Sequence, residues 1–190
     1  GKYDALMREL EVARCWLIRN GDSLDREDFD PSLDTELIES RLSAESLGLI
    51  QLQEQNRYVA LGDQNQIKFN SVSFTALTET VASTLMGLLK PQGRMRLFQS
   101  GRNWYPNRGY MGWHTNSNIK GFRLYCSHAA AGNASYFRYQ DPLTAEVITS
   151  WDDEGWNFRC FRTDLEPLWH CVNSETDRIS FGYGLQFPTD

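Results

Sequence analysis

The sequence predicts a mainly β fold, an antiparallel barrel or jelly roll that carries helices on its outside. Three observations predict it. The second half breaks into about eight short segments with strand-like alternation, each bounded by turn residues. The first half instead shows apolar residues at helical spacing. Aromatic residues make up 13% of the chain and five of the six Trp follow residue 100; paired sheets and lined pockets use such residues heavily. At 190 residues the chain suits a single domain, 1–190, with an N-terminal helical and hairpin elaboration over 1–70 and a supporting helix plus β core over 71–190.

Taken in order, Leu6, Leu10, Ala13 and Leu17 recur at spacings of four, three and four, which predicts an amphipathic opening helix. The Asp-rich stretch Asn20 to Asp34, with Gly21 and Pro31, reads as a loop. Asp34 is placed to cap a short helix carrying Leu37, Ile38 and Leu42. Ile50 to Gln53 and Arg57 to Leu61 flank Glu54-Gln55-Asn56 and read as a strand hairpin. A clear helix follows, with Phe74, Leu77, Val81, Leu85 and Leu88 on one face and Lys90-Pro91 ending it. The strand candidates are 94–99, 110–114, 122–127, 136–139, 145–150, 156–161, 168–172 and 178–186. Turns fall at Asn107-Arg108-Gly109, Ala131-Gly132-Asn133, Gln140-Asp141-Pro142 and Asn173 to Asp177.

The formal net charge of −6 argues against a surface that tracks a nucleic-acid backbone, because phosphate binding draws on clustered Lys and Arg. Arg94, Arg96, Arg102 and Arg108 read as a solvated strand edge and loop. Cys15, Cys126, Cys160 and Cys171 show neither CxxC spacing nor a paired framework, so they read as reduced thiols of a cytoplasmic protein. No signal peptide or membrane-spanning run is visible.

The chain has three histidines. His114 closes the aromatic run Tyr110-Met111-Gly112-Trp113-His114, and His170 lies inside Leu168-Trp169-His170-Cys171-Val172. Side chains alternate along a strand, so His170 and Val172 share one face, and Arg178 and Ser180 share one face of the next strand. If the intervening turn forms a hairpin, all four face the interior together. An Arg pointing into a barrel is costly unless it meets an anion, and an anionic ligand is the economical explanation. Cys171 points to the opposite face and reads as packing, His128 reads as structural, and Asp152-Asp153-Glu154 reads as an acidic turn. Trp113, Trp151, Trp156 and Trp169 read as core, with Trp113 also able to wall the pocket.

His114-Thr115-Asn116, a second histidine 56 residues on, and Arg178-x-Ser180 together resemble the signature of the Fe(II)- and 2-oxoglutarate-dependent oxygenases. That signature reads His-x-Asp/Glu, a distal His, and Arg-x-Ser/Thr roughly ten residues later. The Tyr-Pro-Asn-Arg-Gly-Tyr loop before Gly-Trp-His is similar to prolyl-hydroxylase-like members. The resemblance covers about 94–186, with the 74–89 helix as external support, and implies a double-stranded β-helix. A cupin would show a His-x-His pair first, which is absent.

The resemblance implies that His114, Asn116 and His170 form the catalytic iron site. Arg178 would read the far carboxylate of 2-oxoglutarate with help from Ser180, and Tyr105, Tyr110 or Tyr125 would add a hydrogen bond. Two imidazoles and a carboxylate on one face of Fe(II) leave positions for the 2-oxo acid and dioxygen. Oxidative decarboxylation to succinate and carbon dioxide then drives hydroxylation of a C–H bond in a peptide, amino acid or small metabolite. One position departs from the pattern: Asn116 stands where the family has its carboxylate. Asn116 can ligate through its amide oxygen, or the position can stay open as in the family's halogenases, or the fold can serve as a non-catalytic binding protein. Asn118, His128 or a distant carboxylate could also complete the site.

Overall fold

The computed structural model describes residues 1–24, 26, 28–53, 63–116 and 119–187. Its centre is a pair of five-stranded antiparallel sheets. After two short strands, β1 (Gln64–Asn65) and β2 (Ile67–Lys68), eight longer ones follow. These are β3 (Arg96–Tyr105), β4 (Gly109–His114), β5 (Phe122–Ala129), β6 (Ser135–Gln140), β7 (Val147–Trp151), β8 (Gly155–Arg162), β9 (His170–Ser174) and β10 (Arg178–Gln186). One sheet has the order β1-β4-β9-β6-β7 and the other β2-β3-β10-β5-β8. Successive strands from β3 to β6 therefore alternate between sheets, as in a jelly roll.

Four helices, α1 (Lys2–Asn20), α2 (Thr35–Arg41), α3 (Ala44–Gln53) and α4 (Thr75–Leu89), lie on the outer faces. Leu6, Leu10, Ala13 and Leu17 of α1 are buried as their spacing predicts, packing with Leu77 and Val81 of α4 over Ile179, Phe181 and Tyr183 of β10. Ile38, Leu42 and Leu47 from the α2–α3 region cover Tyr110, Trp113, Tyr136 and Cys171 on the other sheet. A third apolar group, Tyr105, Met111, Phe137 and Val172, lies between the sheets. The Asp34 side chain accepts from the Leu37 backbone N–H, the cap expected of it. Lys90 takes the left-handed conformation that ends α4 before Pro91.

All eight strand candidates exist; 178–186 coincides with β10 and the other seven have shifted ends. β3 runs on past the expected end at residue 99 through Asn103 to Tyr105, because these residues pair in register with Ser180, Ile179 and Arg178. The turn that remains is tight: Arg108 has φ 71°, and a Cβ on Gly109 would stand 2.7 Å from the Pro106 carbonyl oxygen. Ile50 to Gln53 is not a strand but the end of α3, where Leu47 and Ile50 pack one helical turn apart against the sheet. Its expected partner, Arg57 to Leu61, lies outside the described residues. Leu88 is 74% exposed rather than on the buried face of α4. None of the described helices is long and apolar enough to cross a membrane.

Candidate functional site

His114 ends β4 and His170 begins β9, and the two are paired directly across the sheet. Between Met111 and His114 the register shifts. This irregularity brings both side chains to the cavity, although they are three residues apart and strict alternation would oppose them. The intervening Trp113 turns outward, where its indole N–H donates to the Ser43 carbonyl. It belongs to the core and is not among the residues lining the histidine cavity.

The two imidazoles are almost wholly buried, with ring centroids 4.1 Å apart. Each is fixed in the same way. His114 Nδ1 lies 2.8 Å from the Gly112 carbonyl oxygen, and His170 Nδ1 lies 2.9 Å from that of Leu168. An Nδ1–H that donates to a carbonyl leaves Nε2 as the lone-pair nitrogen, the usual preparation of a metal-ligating histidine. Burial lowers the His114 pKa to about 4 against the opposing pull of the Gly112 carbonyl. Burial and then the neighbouring His114 hold His170 well below its ordinary value. Both rings are neutral near pH 7.

Asn116 sits beside them. Its amide Nδ2 donates to the Tyr125 hydroxyl at 2.8 Å and lies 3.1 Å from His170 Nε2. Asn118 lies outside the described residues, and no group of three or more His, Cys, Asp or Glu suited to a metal occurs among the described residues. His128 lies apart, edge-on to Trp156 at 5.2 Å.

A cavity of about 180 Å3 joins these residues to Arg178. His170, Val172, Arg178 and Ser180 all line it, and so do Tyr105 and Tyr125. The hairpin expected to join them is not formed: β9 pairs with β4 and β6 and β10 with β3 and β5, so the two strands lie in opposite sheets, and it is the facing of the sheets that brings the two pairs together. Tyr110 does not: its hydroxyl donates to Asp63 at 2.7 Å on the outer side. Ser180 and Ser127 share a hydrogen bond of 3.0 Å. Cys171 turns away into the core beneath the helices.

The inference that Arg178 needs an external anion has to be corrected. Its Nε donates to Asp152 Oδ2 at 2.8 Å, and Asp152, at the start of the acidic turn between β7 and β8, is fully buried. Asp152 also accepts from Arg159 Nη1 and from the Ser135 hydroxyl, each at 2.5 Å. Burial pushes the Asp152 pKa up, yet Arg178, Arg159 and Ser135 outweigh it and hold the carboxyl at about 2. The Nε bond is the sole hydrogen bond of the Arg178 guanidinium among the described residues. Its two terminal nitrogens remain for a ligand. Asp152 was missed because it lies just past the end of β7, outside any alternating run. The signal was the inward Arg itself, which calls for a carboxylate from the chain as readily as from a ligand.

No family model matches the chain, and no curated protein matches it. Among solved structures it is similar to a Pseudomonas putida prolyl-4-hydroxylase, with a TM-score of 0.45 and 10% identity over 78% of this chain and 90% of that one. It is also similar to an oxidoreductase of the 2OG-Fe(II) oxygenase family from Burkholderia pseudomallei, with a TM-score of 0.44 and 11% identity over 77% and 81% of the two chains. Similarity this distant assigns no chemistry.

Proposed function

We propose that the chain is a double-stranded β-helix that works as an Fe(II)- and 2-oxoglutarate-dependent oxygenase, hydroxylating a C–H bond of a small molecule or peptide. The observation that carries this reading is the convergence of His114, His170 and Arg178 on one cavity, with both histidine Nδ1 atoms already tied to backbone carbonyls. The strand order supports the fold assignment, because β3-β10-β5-β8 faces β4-β9-β6-β7 in two interleaved four-strand sets.

The donor set fits iron in two of its three protein positions. Two neutral imidazoles offer Nε2, and Asn116 supplies a neutral amide where a carboxylate would bind more tightly. For Asn116 to offer its oxygen, the amide has to give up its contacts to Tyr125 and His170. When bound, Fe(II) would supply activation of dioxygen coupled to decarboxylation of the 2-oxo acid. The chain's own residues do the positioning. Asp152 holds the Arg178 Nε and so directs the guanidinium fork, which can read a carboxylate through two parallel hydrogen bonds. Ser180 and the Tyr105 and Tyr125 hydroxyls offer further hydrogen bonds, and Phe137 and Phe161 pack against His170.

A second reading, a binding protein that no longer turns over, is favoured by one observation: the Asn116 amide lies against the His170 Nε2 that iron requires. Succinate formation from 2-oxoglutarate with added Fe(II) separates the two. An oxygenase produces succinate as isolated, and Asn116→Asp changes its rate little or lowers it. Succinate that appears only in the Asn116→Asp variant assigns the natural chain to binding.

A further inference from the structure

The inner face of the sheet that carries Arg178 is laid out in rows across its strands. Tyr105, Arg178 and Ala129 form one row, and Lys68, Asn103, Ser180 and Ser127 form the next. The third is Gly101, Gly182 and Tyr125. Facing glycines in the middle of paired strands give up packing, and such positions mark a close approach by a ligand or another backbone. A Cβ on Gly182 would crowd the Tyr125 ring and the Ser100 hydroxyl, each at 3.1 Å. The register also shifts beside Gly182, where Ser100 joins the cavity wall. The space over both glycines is taken by neighbours, Ser100 and Tyr125 at Gly182 and the Asn103 amide 3.3 Å from a Cβ on Gly101, so polar side chains line the wall next to the Arg178 pocket.

The charges around this wall are one-sided. The cavity wall carries Lys68 and Arg178 and no Asp or Glu among the described residues. Arg178 is answered by Asp152 from behind. Lys68, half-buried on the two-residue strand β2, makes no ion pair or hydrogen bond among the described residues. Arg123 follows the same pattern. It lies two residues from Tyr125 on the same face of β5, is 3% exposed, stands over the Phe98 ring at 5.7 Å, and leaves Nε and Nη1 without hydrogen-bond partners. Its Nη2 has a long contact of 3.4 Å to the Asn116 carbonyl oxygen. A buried cation short of hydrogen-bond partners, such as Arg123, is costly, and a half-buried ammonium such as Lys68 keeps its donors free; an anionic occupant answers both.

We propose that the molecule oxidised in this cavity is a carboxylic acid, held by its carboxylate on Lys68 beside the Gly101–Gly182 row. One ammonium, with Asn70, Asn103 and Ser100 as neutral neighbours on the same wall, suits a single negative charge with several lone pairs. The proposal rests on the oxygenase reading.

Its test compares wild type, Lys68→Gln and Lys68→Arg in two measurements. Anaerobic titration with Fe(II) and 2-oxoglutarate, followed by the visible charge-transfer band, reports the co-substrate. Acceleration of succinate formation is then compared for acids and their own amides: lactate with lactamide, butyrate with butyramide, leucine with leucinamide. Acids accelerate the wild type and their amides do not. Lys68→Gln loses the response to acids by about tenfold or more and keeps the same half-saturation for 2-oxoglutarate in the band, whereas Lys68→Arg retains most of the response. The proposal is overturned if acids and amides act alike, if no acid of the series acts on a wild type that shows the band, or if Lys68→Gln responds like wild type. A weakened band in Lys68→Gln overturns it too, by assigning Lys68 to the 2-oxo acid itself. Absence of the band in wild type is a different result, since it removes the oxygenase reading beneath the proposal.

Discussion

The two faces of β10 are equally buried and chemically opposite. Ile179, Phe181 and Tyr183 point outward into the apolar layer beneath α1 and α4, while Arg178, Ser180 and Gly182 point inward to the cavity. No residue from 178 to 185 is more than slightly exposed, so burial alone does not separate core from site. What separates them is whether a buried side chain offers only contact area or carries a polar group that needs a partner. The outward face draws stability from apolar area. The inward face gives up that gain at Gly182 and has to satisfy a guanidinium and a hydroxyl.

Substitutions on the two faces should therefore fail in different ways. Phe181→Ala should produce the largest loss, about 4 kcal/mol in urea unfolding, because the ring is fully buried among Phe69, Phe74 and Trp156. The folded fraction should still bind 2-oxoglutarate with wild-type affinity. A loss of affinity in that fraction would mean that the faces are coupled.

Asp152→Asn should cost about 3 kcal/mol by leaving Arg178 and Arg159 without their carboxylate, and it should also weaken 2-oxoglutarate binding. Its acid profile sharpens the contrast. The Asp152 carboxyl is held at about 2 against an ordinary 3.8, so its contribution is fully present above pH 3.8 and is lost as pH falls through 2. Unfolding curves of wild type and Asp152→Asn should converge over that window. Curves that stay parallel would show that the ion pair does not bear on stability. Smallest is Asp34→Ala, at about 1 kcal/mol, because it removes one cap from a short helix far from either face. Any change in ligand affinity there would be unexpected.

The same alternation made much of the molecule legible in advance. Short polar–apolar runs between turn residues identified eight strands, and period two set His170 with Val172 and Arg178 with Ser180, although the pairs meet across two sheets and not in the hairpin the turn suggested. Where another force sets the geometry, the pattern misleads or falls silent. Ile50-Gln51-Leu52-Gln53 alternates like a strand, yet its helix is fixed by Leu47 and Ile50 packing on Trp113 and its neighbours. Met111 and His114 share the cavity only through an irregularity in β4 that no residue type announces. Asp152 reaches Arg178 from 26 positions away in the chain, and Lys68 sits on a strand of two residues, too short to carry a period. Contacts made across the fold leave no mark on local spacing.

The central claim is that His114, Asn116 and His170 hold Fe(II) while Arg178 holds the 2-oxo acid. Anaerobic titration of the purified protein with Fe(II) and 2-oxoglutarate tests it most directly, with Arg178→Ala as the control. A visible charge-transfer band that saturates in wild type and weakens in Arg178→Ala is the predicted result. A wild-type protein that shows no band and retains no iron would contradict the claim and assign the cavity to binding alone.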